Sequence, residues 1–151
     1  MTDMQMELQK LIDESAIREV TVQFADAATR GDIADFGATW DKDGRFAIGE
    51  PPRVDASGFD AIVSTFQSLR AERKFFFQLA MQGPISIRGD VATASCLGYE
   101  AAQGPGESNY RNLFRTTDRL RRVDGRWVFT ERHFRYVWLD TTAFGGIGFR
   151  I

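Results

Sequence analysis

The residues that are best suited to catalysis by their chemistry lie between Asn112 and Trp138. This stretch contains the single histidine of the chain, His133. An imidazole titrates near neutral pH, so His133 is the first candidate for a general acid or base. If the aromatic residues at positions 127 and 129 face the core, Glu131 and His133 share that face. A carboxylate beside an imidazole raises the imidazole pKa and fixes its tautomer. The alternative is a partly exposed strand histidine without a chemical role.

This stretch is predicted to form a long antiparallel hairpin. Its segments Asn112 to Val123 and Arg126 to Trp138 both alternate, and Asp124-Gly125 between them is a strong hairpin signal. Alternation places four residues of mixed polarity on one face, which suits a pocket wall: Asn112, Phe114, Thr116 and Asp118. The arginines between them then face solvent or another subunit. Asp118 is a candidate acid or base, alone or paired with His133, and the alternative is a salt bridge to a neighbouring arginine.

The hairpin is preceded by helical patterns and further strands. The helical patterns cover residues 4 to 12, a segment capped by Asp13 or Ser15 and ending at Arg30-Gly31, a short helix from Asp32 to Trp40, and Phe59 to about Arg73. Strands are predicted around Phe46 and Ile48, over Phe75 to Gln82 and Pro84 to Arg88, and over Val91 to Ala101. Glu50 to Ser57 and Gln103 to Ser108 are predicted loops, and Asp140 to Ile151 a glycine-rich tail. Helices followed by a meander predict an α+β fold.

Composition limits the class of protein. With 151 residues, the chain is expected to form one domain over residues 1–151, and its single cysteine, Cys96, favours a cytoplasmic location. Residues 1–60 carry thirteen acidic and six basic residues, whereas the remainder carries eight and thirteen, for a net charge of -2. A mildly acidic total argues against nucleic-acid binding, and no apolar run is long enough to span a membrane.

A curved sheet closed by helices leaves an open end that is a natural small-molecule pocket. The chain has thirteen phenylalanines, and the aromatic supply favours a flat or apolar ligand. Predicted ligand-binding residues beyond the hairpin face are Phe24, Phe46, Phe76, Gln78 and Cys96, the last as a buried structural thiol beside small residues. No spacing of His, Cys or carboxylates indicates a metal, and no motif indicates a cofactor, so we predict neither.

The order of several motifs resembles the SnoaL-like branch of the NTF2-like superfamily over about the whole chain. The motifs are the helix Ile17-x-x-Val20-x-x-x-Phe24, Arg30-Gly31-Asp32, Phe46, Gly89-Asp90, and Asp118 six residues before Asp124-Gly125-Arg126-Trp127. The resemblance implies an NTF2-like cone, with three helices from the N-terminal half on a strongly curved, mostly antiparallel sheet. It also implies a homodimer or homotrimer. Family members include polyketide cyclases, scytalone dehydratase, ketosteroid isomerase, hexachlorocyclohexane dehydrochlorinase and dioxygenase small subunits.

Dehydratase and dehydrochlorinase types are the most similar, partly through the tail Phe144 to Phe149. Those enzymes pair an Asp of the first long helix with a His of the second strand, four residues before an Asn. The matching positions here are Thr29, Gln78 and Gln82, and neither threonine nor glutamine can act as a base near neutral pH. Arg132 matches an arginine that helps the leaving anion in the dehydrochlorinase type.

The sequence thus predicts a small-molecule pocket protein with possible lyase or isomerase activity on an aromatic, polyketide or steroid-like compound. His133 or Asp118 would move the proton, and Arg132 would stabilise negative charge. Because His133 and Arg132 are adjacent, one of the two faces the pocket unless a bulge intervenes. The alternative is a non-catalytic ligand-binding or partner module, such as a dioxygenase small subunit, for which a missing dyad is expected.

Overall fold

The computed structural model describes residues 1–105 and 108–151. The helices are α1 (Asp3–Arg30), α2 (Ile33–Ala38) and α3 (Phe59–Ala71). The strands are β1 (Trp40–Ile48), β2 (Val54–Ser57), β3 (Phe75–Arg88), β4 (Val91–Gln103), β5 (Tyr110–Val123) and β6 (Arg126–Asp140). They form one curved sheet in the order β2-β1-β6-β5-β4-β3, in which β1 and β6 are parallel and the other pairs antiparallel. The predicted α+β class is confirmed.

Helix α1 is continuous, whereas the sequence predicted two segments with a cap at Asp13 or Ser15. The N-cap is Thr2, whose side chain and that of Gln5 form a capping box. Asp13 instead accepts a hydrogen bond from Trp127 Nε1 at 3.1 Å and pairs with Arg122 at 2.9 Å. Contacts with β5 and β6 thus satisfy the carboxylate, so the helix does not end there. Gly31 ends α1, with a left-handed φ of 70°.

Three further boundaries differ from the prediction. Strand β1 begins at Trp40, where a helix end was predicted, and β2 occupies part of the predicted loop from Glu50 to Ser57. Strand β3 runs through Gly83-Pro84, because the register shifts between Gln82 and Ile85 and accommodates the proline. Residues 106 and 107 of the predicted loop from Gln103 to Ser108 lie outside the described residues.

A bulge in β6 decides which of its side chains point inward. Leu120 is opposite Phe129 and Arg119 is opposite Glu131, so Thr130 is an extra residue in β6. Arg132 therefore lies on the inner face with Phe129, and its guanidinium carbon is 4.3 Å from the centre of that ring. The expectation that Glu131 and His133 share the face of Trp127 and Phe129 is wrong, because the bulge reverses the alternation.

The helices cover an aromatic core on the inner face of the sheet. Phe24 of α1 lies at its centre, with ring centroids 5.0 Å from Phe36 and 5.8 Å from Phe134. Phe134 in turn packs against Phe114 of β5 at 5.0 Å. Phe114 lies against Gly98, where an added Cβ would collide with its ring. The glycine thus lets the ring of Phe114 approach β4 closely.

Within residues 1–105 and 108–151, none of the helices combines the length and the apolar character needed to cross a membrane.

Candidate functional site

A cavity of about 200 Å³ lies between α1, α3 and the inner face of the sheet. This volume is many times the roughly 15 Å³ that one water molecule requires, so the cavity can admit an organic ligand. Half of the residues that line it are aromatic, and its phenylalanine rings are Phe24, Phe36, Phe46, Phe66, Phe76, Phe114 and Phe134. Such a wall suits an apolar or flat molecule.

Glu100 of β4 supplies the sole carboxylate among the described residues that line this cavity. Its two oxygens accept hydrogen bonds from neighbouring strands: Gln78 Nε2 donates to Oε1 at 2.7 Å, and Asn112 Nδ2 donates to Oε2 at 3.0 Å. The register explains the contact, because Glu100 is directly opposite Gln78 on β3 and Asn112 on β5. The carboxyl group is therefore fixed in position and faces the cavity.

Burial raises the pKa of Glu100 above its ordinary value of 4.5, and the hydrogen bonds from Asn112 and Gln78 offset this only in part. The surroundings also accommodate the protonated form. Gln78 Oε1 and Asn112 Oδ1 are buried and have no hydrogen-bond partner among the described residues. Turning either amide over would present its oxygen to the carboxyl O–H. The group can thus serve as an acid or a base.

Two tyrosines add hydroxyl groups to the same wall. Tyr110 of β5 and Tyr136 of β6 both line the cavity. Burial and the nearby Glu100 raise the pKa of both phenols. The hydroxyls therefore stay protonated at neutral pH and can donate hydrogen bonds to an oxygen of a ligand.

A second polar cluster lies deeper, around the ion pair of Arg132 and Asp118. Arg132 is fully buried, and its Nε and Nη2 donate to the two Asp118 oxygens at 3.0 and 3.3 Å. Thr116 Oγ1 donates to Asp118 at 2.9 Å, and Arg132 Nη2 lies 3.3 Å from the sulfur of Cys96. Burial raises the pKa of the Cys96 thiol. The thiol is therefore neutral and structural.

Aromatic rings separate this cluster from the cavity. The guanidinium carbon of Arg132 lies 4.5 Å from the centre of the Phe24 ring and 5.1 Å from that of Phe134, and both rings line the cavity. We refer to Phe24, Phe114 and Phe134 as the aromatic floor. Asp118 and Arg132 lie beneath this floor, where they neutralise each other.

The predicted site residues therefore divide into four groups. Five of the predicted ligand-binding residues line the cavity: Phe24, Phe46, Phe76, Gln78 and Phe114. Asn112 reaches it through Glu100, whereas Cys96 and Thr116 belong to the cluster below the floor. His133 points to the other side of the sheet, where its Nε2 lies 2.7 Å from the carbonyl oxygen of Gly49. The catalytic roles of Asp118, Arg132 and His133 stay predictions.

The two positions that correspond to the family dyad are in direct contact. The backbone N–H of Gln78 donates to Thr29 Oγ1 at 3.0 Å, and this hydroxyl lies 3.4 Å from the Gln78 carbonyl. The Gln78 side chain then leads to Glu100, which sequence reasoning missed. The alternation of side chains along β4 could have indicated that Glu100 faces inward, because Cys96 and Gly98 face inward and Glu100 follows at the same spacing.

Breaking the buried ion pair of Asp118 and Arg132 is predicted to lower the stability of the protein. We expect Asp118→Asn to lower the free energy of unfolding by about 3 to 5 kcal/mol, because it leaves the Arg132 cation buried without a counter-charge. The double variant Asp118→Leu/Arg132→Met should be markedly more stable than Asp118→Asn. Removing the exposed pair of Arg135 and Glu50 with Glu50→Gln should cost far less, because solvent screens this pair. Urea denaturation measures all three, and equal losses for Asp118→Asn and Glu50→Gln would contradict the assignment.

Comparison with known proteins identifies the fold family. The model of the SnoaL-like domain matches residues 9–133. No curated protein matches the sequence. A "Putative Scytalone Dehydratase" from Novosphingobium aromaticivorans has a TM-score of 0.80 and 16% identity, covering 90% of this chain and 91% of that chain.

Two dehydrochlorinase structures are also similar. A hexachlorocyclohexane dehydrochlorinase (LinA) Type2 has a TM-score of 0.81 and 14% identity over 95% of this chain and 96% of that chain. The LinA-type3 enzyme from Novosphingobium barchaimii has a TM-score of 0.77 and 16% identity over 95% and 97%. At these identities the structures show a shared fold, and the family match covers most of the sequence. The chain belongs to the SnoaL-like domain family, with the NTF2-like fold.

Proposed function

We propose that the protein binds an apolar aromatic, polyketide or steroid-like compound and catalyses cofactor-independent proton transfer on it, as a lyase or isomerase. The observation that carries this proposal is Glu100, a carboxyl group with a raised pKa in the wall of an aromatic cavity. Carboxylates in apolar surroundings are suited to moving protons to and from carbon. The fold is shared with dehydratases and dehydrochlorinases, which supports lyase-type chemistry.

Three groups in the cavity wall would carry out the proposed proton transfer. The ionised Glu100 would take a proton from a carbon atom of the ligand, forming the O–H bond as the C–H bond breaks. The electron pair would move to a carbonyl oxygen or expel a leaving group. Tyr110 and Tyr136 would donate hydrogen bonds to the oxygen that becomes negative. The neutral Glu100 would then return the proton to another carbon or to the leaving group.

Glu100 is better placed for this role than the residues predicted from sequence. Asp118 is committed to Arg132 beneath the aromatic floor, and His133 binds the Gly49 carbonyl on the other side of the sheet. A general base has to lie within hydrogen-bond reach of the proton that it removes. Among these three groups, Glu100 meets that requirement for a ligand in the cavity.

The alternative is a ligand-binding or partner module without catalysis, as in dioxygenase small subunits. The observation that favours it is the contact of Thr29 with Gln78, where dehydratase-type enzymes are expected to have an Asp and a His. This module would use Gln78 and Glu100 for ligand binding alone. Ligand binding without any proton exchange would support it.

The proton-transfer role can be tested with 2-tetralone, a flat apolar ketone with exchangeable α-protons. We expect the protein to accelerate exchange of these protons with D₂O, as followed by ¹H NMR. Glu100→Gln should slow the catalysed rate by about 100-fold or more, because it removes the base while keeping the shape of the side chain. His133→Gln is the matched control and should retain the rate. Loss of exchange in His133→Gln with full exchange in Glu100→Gln would overturn the proposal.

We further propose that the chain forms a homodimer or homotrimer through the outer face of the sheet. Leu79, Met81 and Leu97 are exposed there by 60%, 65% and 49%. Met81 is opposite Leu97 in the register, and Leu79 is opposite Tyr99, so these side chains form a continuous apolar surface. A second copy of the chain would cover it.

Native mass spectrometry at micromolar concentration tests this assembly. We expect a mass of two or three times 17.0 kDa, and Leu79→Glu should shift it to the monomer because a charge would be buried at the contact. Val22→Glu is the control, since Val22 is equally exposed at 60% but lies on α1. A monomeric wild-type protein would contradict the proposal.

A further inference from the structure

Three arginines line the same cavity as Glu100. Arg53 lies just before β2, Arg70 is in the last turn of α3, and Arg73 follows that helix. Together they place positive charge on a cavity whose wall is otherwise mainly aromatic. The single carboxylate among the described lining residues, Glu100, is held by two amides and has a raised pKa. With three guanidinium groups and one carboxyl group among its described lining residues, the wall is net positive whether or not Glu100 is ionised.

The position of Arg70 is fixed by backbone groups. Its Nε donates to the Ala28 carbonyl at 3.1 Å, and its Nη2 donates to the Thr29 carbonyl at 3.0 Å. These carbonyls belong to the last turn of α1, so Arg70 caps that helix. The dipoles of these two carbonyls hold the guanidinium in place without neutralising its charge. Burial lowers the pKa of Arg70. A half-buried cation of this kind is stabilised when an anion approaches it.

The other two arginines also have no carboxylate partner in the described part of the chain. Arg73 Nη1 donates to the Ser108 carbonyl at 3.0 Å, and its guanidinium carbon lies 4.9 Å from the centre of the Tyr110 ring. Arg53 is exposed at the cavity. Some other arginines are neutralised directly, since Arg45 and Arg135 lie 2.8 and 2.7 Å from a carboxylate. The cavity arginines thus keep their charge available for a ligand.

The same elements limit the charge of that ligand. Arg70 and Arg73 lie at the C-terminal end of α3, and Arg70 also caps the C-terminus of α1. Helix C-termini present carbonyl oxygens and carry partial negative charge. They disfavour a doubly charged group such as a phosphate monoester. A singly charged carboxylate, which matches the guanidinium fork, fits this environment better.

We infer that the ligand is a monocarboxylic acid with a flat apolar body, whose carboxylate binds at Arg53 and Arg73 while its body lies on the aromatic floor. This inference rests on the proposed function, because it assigns a substrate class to the same cavity. It places the charged end of the ligand at the arginines and the reacting part beside Glu100. Arg70 would support the carboxylate electrostatically from its position on the α1 carbonyls.

A matched pair of probes tests the inference: 2-naphthoate and its neutral methyl ester, with binding measured by calorimetry at pH 8. We expect the acid to bind at least about tenfold more tightly than the ester, because a charge-assisted hydrogen bond contributes more than a neutral one. The advantage should shrink as salt is added. In Arg53→Gln/Arg73→Gln the acid and the ester should bind equally, whereas Arg53→Lys should retain a preference for the acid.

Arg88→Gln is the control, since Arg88 is exposed at the opposite end of β3 from the cavity. It should leave both affinities unchanged. Equal binding of acid and ester to the wild-type protein would overturn the inference and leave the apolar cavity of the proposed function intact. Failure of both probes to bind would overturn the inference together with the proposed ligand class.

Discussion

The aromatic floor of Phe24, Phe114 and Phe134 separates the cavity from the buried ion pair of Asp118 and Arg132. Phe24 packs on Phe134, Phe134 packs on Phe114, and Phe114 approaches β4 at Gly98. These rings divide the inner face of the sheet into two compartments with different electrostatics. Below them, Asp118 and Arg132 neutralise each other out of contact with the cavity. Above them, Glu100 is held by amides and faces a space large enough for a ligand.

The floor therefore separates the structural ion pair of Asp118 and Arg132 from Glu100, the proposed proton carrier, within one sheet. The buried ion pair has full hydrogen-bond partners on its carboxylate, so its charges are compensated inside the protein. Glu100 has no ion-pair partner among the described residues, and the hydrogen bonds from Asn112 and Gln78 together with the charge of Arg73 offset its burial only in part. Its folded-state pKa is raised, so the folded protein holds a proton that the unfolded chain releases as the pH rises above about 4.5. Stability from this group therefore declines above that pH, a cost that is typical of functional sites.

The fold could be predicted from the sequence because its signals are local. Alternation placed Asn112, Phe114, Thr116 and Asp118 inward, and all four are buried. The hairpin turn at Asp124-Gly125 lies between β5 and β6 as predicted. The predicted ends of helices and strands were wrong where tertiary contacts overrode the local sequence pattern. Asp13 looked like a helix cap, yet its partners Trp127 and Arg122 are more than a hundred residues away.

The candidate site was harder to predict because it depends on register. The extra residue Thr130 reversed the alternation of β6, so that Arg132 lies inside and His133 outside, and such a bulge has no clear sequence signature. Glu100 was missed because its role comes from two cross-strand neighbours, Gln78 and Asn112, rather than from a motif. The single histidine, His133, lies on the face of the sheet opposite the cavity, so its residue type alone did not indicate where the cavity is.

Glu100 is proposed to carry the proton because the cavity raises the pKa of its carboxyl group. The most direct measurement is a ¹³C NMR titration of the side-chain carboxyl carbons, with the Glu100 resonance assigned by its absence in Glu100→Gln. We expect a midpoint for Glu100 clearly above the ordinary value of 4.5. A midpoint at or below that value would contradict it, because the carboxylate would then be stabilised by its surroundings and poorly suited to take a proton.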